Sequence, residues 1–369
     1  MDNSLDNNTQ KQAAAKAHVH NLIIVDESGS MGHLRQATLS GVNETIDTIR
    51  SAQQEYAESQ DHSLTLVTFS GVPGKPFVRT LVDCKPVGES VEYFSEYTPH
   101  GNTPLYDAMG QSLVRLHDKI KDDLDASAVV TILTDGLENS SREWRADGLR
   151  RLIGQLKEEG WSFSYMGSAH NVREVSDLLS IENFVEFSHD VRGTGSSWGL
   201  DRSSRHSLYN KLDTMYKSEP HLTHDEVLAR KRQFAREYYG PRVTPDHIVS
   251  LESNEIFVFG SNASGFHAGG AAADAMQRFG AVWGQGEGLQ GRSYAIPTME
   301  GLDNMRAAID RFAQFASQHP EFRFLVTRIG CGIAGHSVRE VAPLFSGCVQ
   351  LENVTLPSDF WDILGLKMQ

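Results

Sequence analysis

Apolar and polar positions form alternating blocks along the first half of the chain. The apolar run Leu22–Val25 lacks the polar alternation of a half-buried strand, which predicts a strand buried on both faces of a parallel sheet. Further strands are predicted at Leu64–Phe69, Val129–Leu133, Phe163–Met166 and Phe184–Phe187. Amphipathic stretches between these runs predict helices at Ala37–Ala52, Leu105–Ile120, Arg145–Glu158 and Val172–Leu179. The alternation predicts an α/β domain with a doubly wound parallel sheet over residues 18–190.

The pattern changes after the last of these strands. The stretch Arg192–Gly199 is polar and rich in glycine and serine, which is typical of a linker. The spacing of Thr223 and Glu226 predicts a capping box at the start of a basic helix, Val227–Tyr239. We therefore expect a helical linker over residues 191–245. Its helix either joins two domains as a solvated element or offers a binding surface to an acidic partner.

Strand and helix signals resume over residues 246–369, which predicts a second α/β domain. The apolar run Glu255–Phe259 predicts a strand, and a glycine-rich turn then leads into an alanine-rich helix that ends at Phe279. A second predicted strand, Phe324–Ile329, runs into the glycine-rich turn Gly330–His336. Such turns bind phosphate because backbone N–H groups and the positive end of a helix face the anion. The first turn has neither the P-loop nor the dinucleotide-binding pattern.

Composition narrows the class of protein. A length of 369 residues suggests two domains, and a net charge of −14 argues against general binding to nucleic acid or anionic membranes. No apolar run has the length of a membrane span. Residues 1–17 lack the apolar core of a secretion signal, so we expect a flexible leader. The three scattered cysteines form no CxxC motif, which predicts free thiols and a cytoplasmic location.

The first predicted strand ends at Asp26 and continues as Asp-Glu-Ser-Gly-Ser, with Ser28 and Ser30 on the following loop. Mg²⁺ prefers oxygen ligands and takes only one or two carboxylates, so this pattern favours a metal site. Ser28 or Ser30 capping the next helix is an alternative. A phosphatase with Asp26 as its nucleophile is a third interpretation. The serine at position 28 disfavours it, since such enzymes usually carry an aspartate there.

The pattern resembles the metal-ion-dependent adhesion site (MIDAS) of von Willebrand factor A domains. Thr103 matches the family's threonine ligand on a separate loop, and Asp135 matches its second aspartate. The resemblance implies a Mg²⁺ ion bound by Asp26, Ser28, Ser30, Thr103 and Asp135. It also implies a protein partner that binds this ion through a carboxylate.

The last third of the chain resembles the macro domain, which binds ADP-ribose, and matches most closely a macro-like branch in bacteria and phages. The matching motifs are Phe259–Asn262, His267, Gly269-Gly270, Trp283–Gly286 and Ser293–Thr298. The resemblance implies that ADP-ribose or a related nucleotide binds to loops near both glycine-rich turns. The implied contact residues are Gly260, Ser261, Asn262, Gly269, Gly270, Ala271, Gly332, Ile333, Ala334 and Gly335.

Binding and catalysis remain alternatives for this second domain. Asn262 either orients a ribose or a water, or caps its own turn. His267 is either an acid or base, or a surface histidine without contacts. Phe266 and Trp283 either stack on the ligand or fill the core, and Cys331 is expected to be a buried thiol rather than a nucleophile. We expect a sensor or adaptor, with an ADP-ribosyl hydrolase that uses Asn262 and His267 as the alternative.

Overall fold

The computed structural model describes residues 16–72, 74–87, 91–168, 172–239 and 242–367. Nearly all of the expected flexible leader, residues 1–17, lies outside these ranges. The described chain is an α/β protein with two mixed, mostly parallel sheets. No helix within the described residues is long and apolar enough to cross a membrane.

The first sheet forms the centre of the N-terminal part. Its first six strands are β1 (Ala17–Asp26), β2 (Gln60–Val72), β3 (Lys75–Pro86), β4 (Ala126–Thr134), β5 (Ser162–Ser168) and β6 (Phe184–Phe187). They lie in the order β6-β5-β4-β1-β2-β3, all parallel except β3. The five predicted strands are confirmed, and the core run Leu22–Val25 is fully buried. Because β3 is a half-exposed edge strand that mixes polar and apolar residues, its sequence pattern did not predict it.

Helices cover both faces of this sheet. They are α1 (Arg35–Glu55), α2 (Leu105–Ile120), α3 (Ala146–Glu158), α4 (Val172–Leu179), α5 (Val191–Ser218) and α6 (His224–Arg236). The four helices predicted between the strands are confirmed, with the first one longer than expected. The capping box at Thr223 and Glu226 is also confirmed.

The start of α5 corrects the sequence analysis. The stretch Arg192–Gly199, predicted to be a linker, forms the first two turns of this helix. Asp190 caps the helix through a 2.7 Å bond from the Gly193 N–H. Trp198 of α5 packs against α1, where a Cβ on Gly41 would lie 2.1 Å from its ring. A Cβ on Gly193 would lie 2.4 Å from Ser188, so the start of α5 is also closely packed rather than a flexible linker.

The predicted solvated helix, α6, also packs on the first sheet. Its Lys231 is almost fully buried and donates to the backbone carbonyls of Asp125 and Ala126, at 3.2 and 2.9 Å. The helical part of the expected linker 191–245 is therefore integral to the first domain. The domain limits 18–190 and 246–369 remain predictions.

The second sheet has five strands. They are β7 (Glu255–Ser261), β8 (Gly288–Gln290), β9 (Ser293–Pro297), β10 (Arg323–Val326) and β11 (Val354–Thr355). Their order is β11-β10-β7-β9-β8, and only β8 is antiparallel to its neighbour. The helices of this part are α7 (Gly270–Arg278), α8 (Leu302–Gln318), α9 (Val338–Val341) and α10 (Ser358–Ile363). The predicted strand Phe324–Ile329 ends early, at Val326.

The end of the chain returns to the first sheet. The short strand β12 (Leu366–Lys367) pairs antiparallel with β6, where Leu366 lies opposite Phe187. The Ser188 N–H extends this pairing with a 2.8 Å bond to the Gly365 carbonyl. One hydrophobic cluster also contains core residues of both sheets. The residues expected to end the second domain therefore complete the first sheet.

Candidate functional site

The predicted metal ligands lie at the carboxyl end of the first sheet, on three segments. Asp26 ends β1 and Asp135 follows β4, and these two strands are parallel neighbours in register. Ligands of parallel α/β sheets bind at this edge. The loop before α2 lies next to the Asp26–Ser30 segment, where the Gly29 N–H donates to the Gly101 carbonyl at 3.0 Å. A Cβ on Gly136 would lie 3.1 Å from Thr103 Oγ1, so this threonine lies beside the Asp135 loop.

Hydrogen bonds join these side chains into one cluster. Asp26 accepts from the Ser28 N–H at 2.7 Å and from Thr134 Oγ1 at 2.6 Å. Ser30 Oγ donates to Asp135 Oδ1 at 2.6 Å and lies 3.2 Å from Ser28 Oγ. Ser28 stands at the start of a 3₁₀ turn, Gly29–Leu34, but its side chain makes no capping bond. The capping alternative is therefore wrong for Ser28, whose hydroxyl faces the cluster.

Electrostatics favour a cation at this cluster. The pKa of Asp26 is raised to about 7 by the sum of opposing effects. Burial raises it most, hydrogen bonds from Thr134 and Ser28 lower it, and the nearby Asp135 raises it. A buried pair of carboxylates next to neutral hydroxyls gains stability when a cation balances the charge. The set has two carboxylates and three hydroxyls, which suits a hard cation such as Mg²⁺. Among the described residues, no group of three or more His, Cys, Asp or Glu side chains is arranged to hold a metal ion.

Sequence reasoning missed two side chains next to this cluster. His189 Nε2 lies 2.8 Å from Asp135 Oδ2, and the His33 ring packs edge-on against His189 at 4.3 Å between centroids. Glu27 is buried within the motif, where it pairs with Arg79 at 2.8 Å. The one signal for His189 in the sequence is its position directly after a predicted strand. The Glu27 pair required knowledge of β3, which the sequence did not predict.

The predicted glycine loops of the second domain also lie side by side. A Cβ on Gly260 would lie 3.5 Å from the Gly330 N atom, which places the end of β7 next to the second glycine-rich turn. A Cβ on Gly269 would lie 3.8 Å from Ile333 Cδ1, so the start of α7 contacts the same turn. A Cβ on Gly332 would meet no atom within 4 Å, so this glycine faces open space. The loops thus form one surface with exposed backbone.

The two predicted catalytic residues have structural partners. Asn262 exchanges two hydrogen bonds with the Phe266 backbone, at 3.1 and 3.2 Å, as expected for a turn cap. His267 is fully buried, bonds Ser261 Oγ through Nε2 at 2.9 Å, and contacts the Phe259 ring edge-on. Burial lowers the pKa of His267. The alternative of a surface histidine is therefore wrong. His267 supports the loop from inside, whereas Asn262 stabilises the turn from its partly exposed side.

Two aromatic residues are exposed beside this loop. Phe266 and Trp283 stack with ring centroids 5.3 Å apart, and more than half of each residue is exposed, at 56% and 55%. They are therefore not core residues, the alternative that the sequence left open.

Cys331 is partly buried, and burial raises the pKa of its thiol. A separate cavity of about 340 Å³ is lined by Gly270, Ala271 and other residues, with none from Gly332–Gly335.

Solved structures with similarity to this chain include von Willebrand factor A proteins. A von Willebrand factor type A protein from Catenulispora acidiphila is 17% identical with a TM-score of 0.37, over 53% of this chain and 43% of that one. The SpRpn10 VWA domain is 12% identical with a TM-score of 0.36, over 49% of this chain and 93% of that one. A manganese-loaded TRAP protein from Plasmodium vivax is 16% identical with a TM-score of 0.33, over 49% of this chain and 71% of that one.

TM-scores this low carry no conclusion about function. No protein-family model matches the chain, and no curated protein sequence matches it. The first domain resembles a von Willebrand factor A domain in its motif: Asp-x-Ser-x-Ser and the second aspartate lie at strand ends of a doubly wound sheet, and the threonine lies on the loop before α2. The second α/β domain has no assigned family.

Proposed function

We propose that the first domain binds Mg²⁺ and thereby binds a protein partner through one of the partner's carboxylates. The observation that supports this proposal is the convergence of five oxygen-bearing side chains from three segments on one sheet edge. They are Asp26, Ser28, Ser30, Thr103 and Asp135. The ion would supply a Lewis-acidic position for an incoming carboxylate.

The chain's own residues prepare this position. The Ser28 N–H and Thr134 hydroxyl hold both oxygens of Asp26, so its carboxylate has one orientation before any ion binds. Asp26, Ser28 and Thr103 are buried, whereas Ser30 is exposed. The cluster is therefore open to solvent on the Ser30 side, from which a partner can approach.

Calorimetric titration with Mg²⁺ tests the proposal. Binding should be measurable in the wild type and lost in Asp26→Ala, with Asp225→Ala on the exposed start of α6 as the control. Ser30→Ala removes an exposed hydroxyl and should weaken binding without affecting the fold. Equal Mg²⁺ affinity in wild type and Asp26→Ala would refute the assignment.

We further propose that the second domain binds ADP-ribose or a related nucleotide, which would make the protein a sensor or adaptor. The support is the contact between the start of α7 and the glycine-rich Gly332–Gly335 turn. Helix starts and glycine-rich turns are the elements that bind phosphate through backbone N–H groups. Asn262 and His267 are both engaged within the protein, which favours binding over the alternative of an ADP-ribosyl hydrolase.

A thermal-shift assay with ADP-ribose tests this second proposal. Gly332→Glu adds a negative charge in open space and should abolish the shift. Gly347→Glu is the matched control, because Gly347 also has open space around it but belongs to another segment, the 3₁₀ helix Ala342–Cys348. A wild-type protein without any shift contradicts the proposal. Release of ADP-ribose from a modified substrate would favour the hydrolase instead.

A further inference from the structure

We propose that His189 is a positioning residue of the metal centre, which fixes Asp135 so that one carboxylate oxygen faces the ion. The inference rests on the proposed Mg²⁺ site and adds a residue outside the five predicted ligands. His189 acts through Asp135 and needs no contact with the ion.

The contacts of Asp135 divide its two oxygens between two partners. Oδ2 lies 2.8 Å from His189 Nε2, and Oδ1 accepts from Ser30 Oγ at 2.6 Å. Because an ionised carboxylate only accepts hydrogen bonds, Nε2 carries the proton and donates it. The Asp135 side chain is fully buried, so a rotation would leave a buried oxygen without a donor. The imidazole therefore selects the orientation in which Oδ1 faces the hydroxyl cluster.

The backbone around His189 is fixed on both sides. The residue before it, Ser188, donates to the Gly365 carbonyl next to β12. The residue after it, Asp190, caps α5 through the Gly193 N–H at 2.7 Å. On the open side the His33 ring packs against the imidazole at 4.3 Å. His189 is thus held in place before any ion binds.

Groups that orient a metal ligand from outside the coordination shell affect affinity strongly. Their loss typically lowers metal affinity by about 10–100-fold. We expect a loss of that size in His189→Ala. His189→Gln keeps an N–H donor at a similar reach, and this variant should recover most of the affinity.

The experiment measures Mg²⁺ and Mn²⁺ affinity by calorimetry in the wild type, His189→Ala, His189→Gln and His221→Ala. His221→Ala is the matched control, because His221 is an exposed histidine in the turn between α5 and α6, outside the proposed metal centre, and its affinity should equal that of the wild type. Melting curves of the metal-free proteins confirm that each variant is folded. Pulsed electron paramagnetic resonance of the Mn²⁺ form should show no directly bound nitrogen.

Each result bears on the proposal. Wild-type affinity in His189→Ala overturns it, and so does a strong nitrogen coupling, which would make His189 a ligand. If the role of His189 fails but Asp26→Ala still loses Mg²⁺ binding, the proposed metal centre stands without this role for His189. If the wild-type protein binds neither Mg²⁺ nor Mn²⁺, both the metal centre and the role of His189 are refuted. A reduced Mg²⁺ affinity in His189→Ala, together with near wild-type affinity in His189→Gln, supports the positioning role. A residue that only filled space would not need an N–H donor.

Discussion

Burial of Asp26 gives the metal-free protein a specific dependence on pH. Its pKa is raised from 3.8 to about 7, mainly by burial. Between these values the folded state binds a proton that the unfolded chain has released, so stability decreases as pH rises. Above the folded pKa the loss is complete, unless a cation balances the charge.

Asp26→Asn should therefore reduce the pH dependence of stability without metal. The amide fits the site, because its oxygen can accept from the Ser28 N–H and its nitrogen can donate to Thr134 Oγ1. Melting temperatures in a chelator at about pH 5 and about pH 8 should differ less in this variant than in the wild type. Asp225→Asn, on an exposed position, is the control. Parallel curves for wild type and Asp26→Asn would contradict the expected result.

Part of the candidate site could be predicted from the sequence. Four of the five proposed metal ligands, Asp26, Ser28, Ser30 and Asp135, follow apolar runs, so local patterns located them at one sheet edge. His189 and Glu27 depend on partners distant in sequence, Asp135 and Arg79, and no local pattern encodes those pairs. For His267 the surrounding glycines suggested exposure, but the fold of the loop buries the ring against Phe259.

At the scale of elements, the crossing of α1 and α5 depends on a glycine. Trp198 lies against the backbone of α1 at Gly41, where a Cβ would come within 2.1 Å of the indole. Interiors are packed too densely to accept an added methyl group without a shift. This contact positions α5, whose first residues follow His189.

Gly41→Ala should therefore destabilise the protein although alanine is the better helix former. Overpacking typically costs about 1–3 kcal/mol. The matched control is Gly154→Ala in α3, where the added methyl group meets open space and should stabilise by about 0.5–1 kcal/mol. Urea unfolding of both variants measures the difference. A stabilised Gly41→Ala protein would show that the two helices can separate at no cost.

Element prediction succeeded where burial on both faces leaves a continuous apolar run, as in β1 and β4. It failed for α5, because its glycine- and serine-rich start has the composition of a linker. The helix packs against α1, and the sequence of the segment alone does not contain that contact. The edge strands β3 and β12 were missed because an edge needs no regular apolar pattern.

The junction of β6 and β12 connects the second domain to the proposed metal centre. A Cβ on Gly365 would lie 2.5 Å from Ser188 Oγ, and Gly365 has a φ of +84°. Any side chain there would push on Ser188, the neighbour of His189.

Gly365→Ala should lower both the melting temperature and the Mg²⁺ affinity. Gly288→Ala is the matched control, because Gly288 has a similar φ of +91° but nothing within 4 Å of an added Cβ. Both variants carry the cost of a left-handed backbone, about 1–2 kcal/mol for a residue with a side chain. Only Gly365→Ala should lose metal affinity, as measured by calorimetry. Equal Mg²⁺ affinity in the two variants would show that the β6–β12 junction does not affect Mg²⁺ binding.

The pairing of β12 with β6 also sets an order of events during protein synthesis. The edge of β6 leaves the ribosome long before its partner, which is translated after the whole second domain. At about 5–20 residues per second, this delay is on the order of 10–40 s. During that time the nascent first domain presents an unpaired sheet edge, which other chains or chaperones can bind. β12 closes this edge, so a chain truncated before Leu366 would leave β6 unpaired on this side.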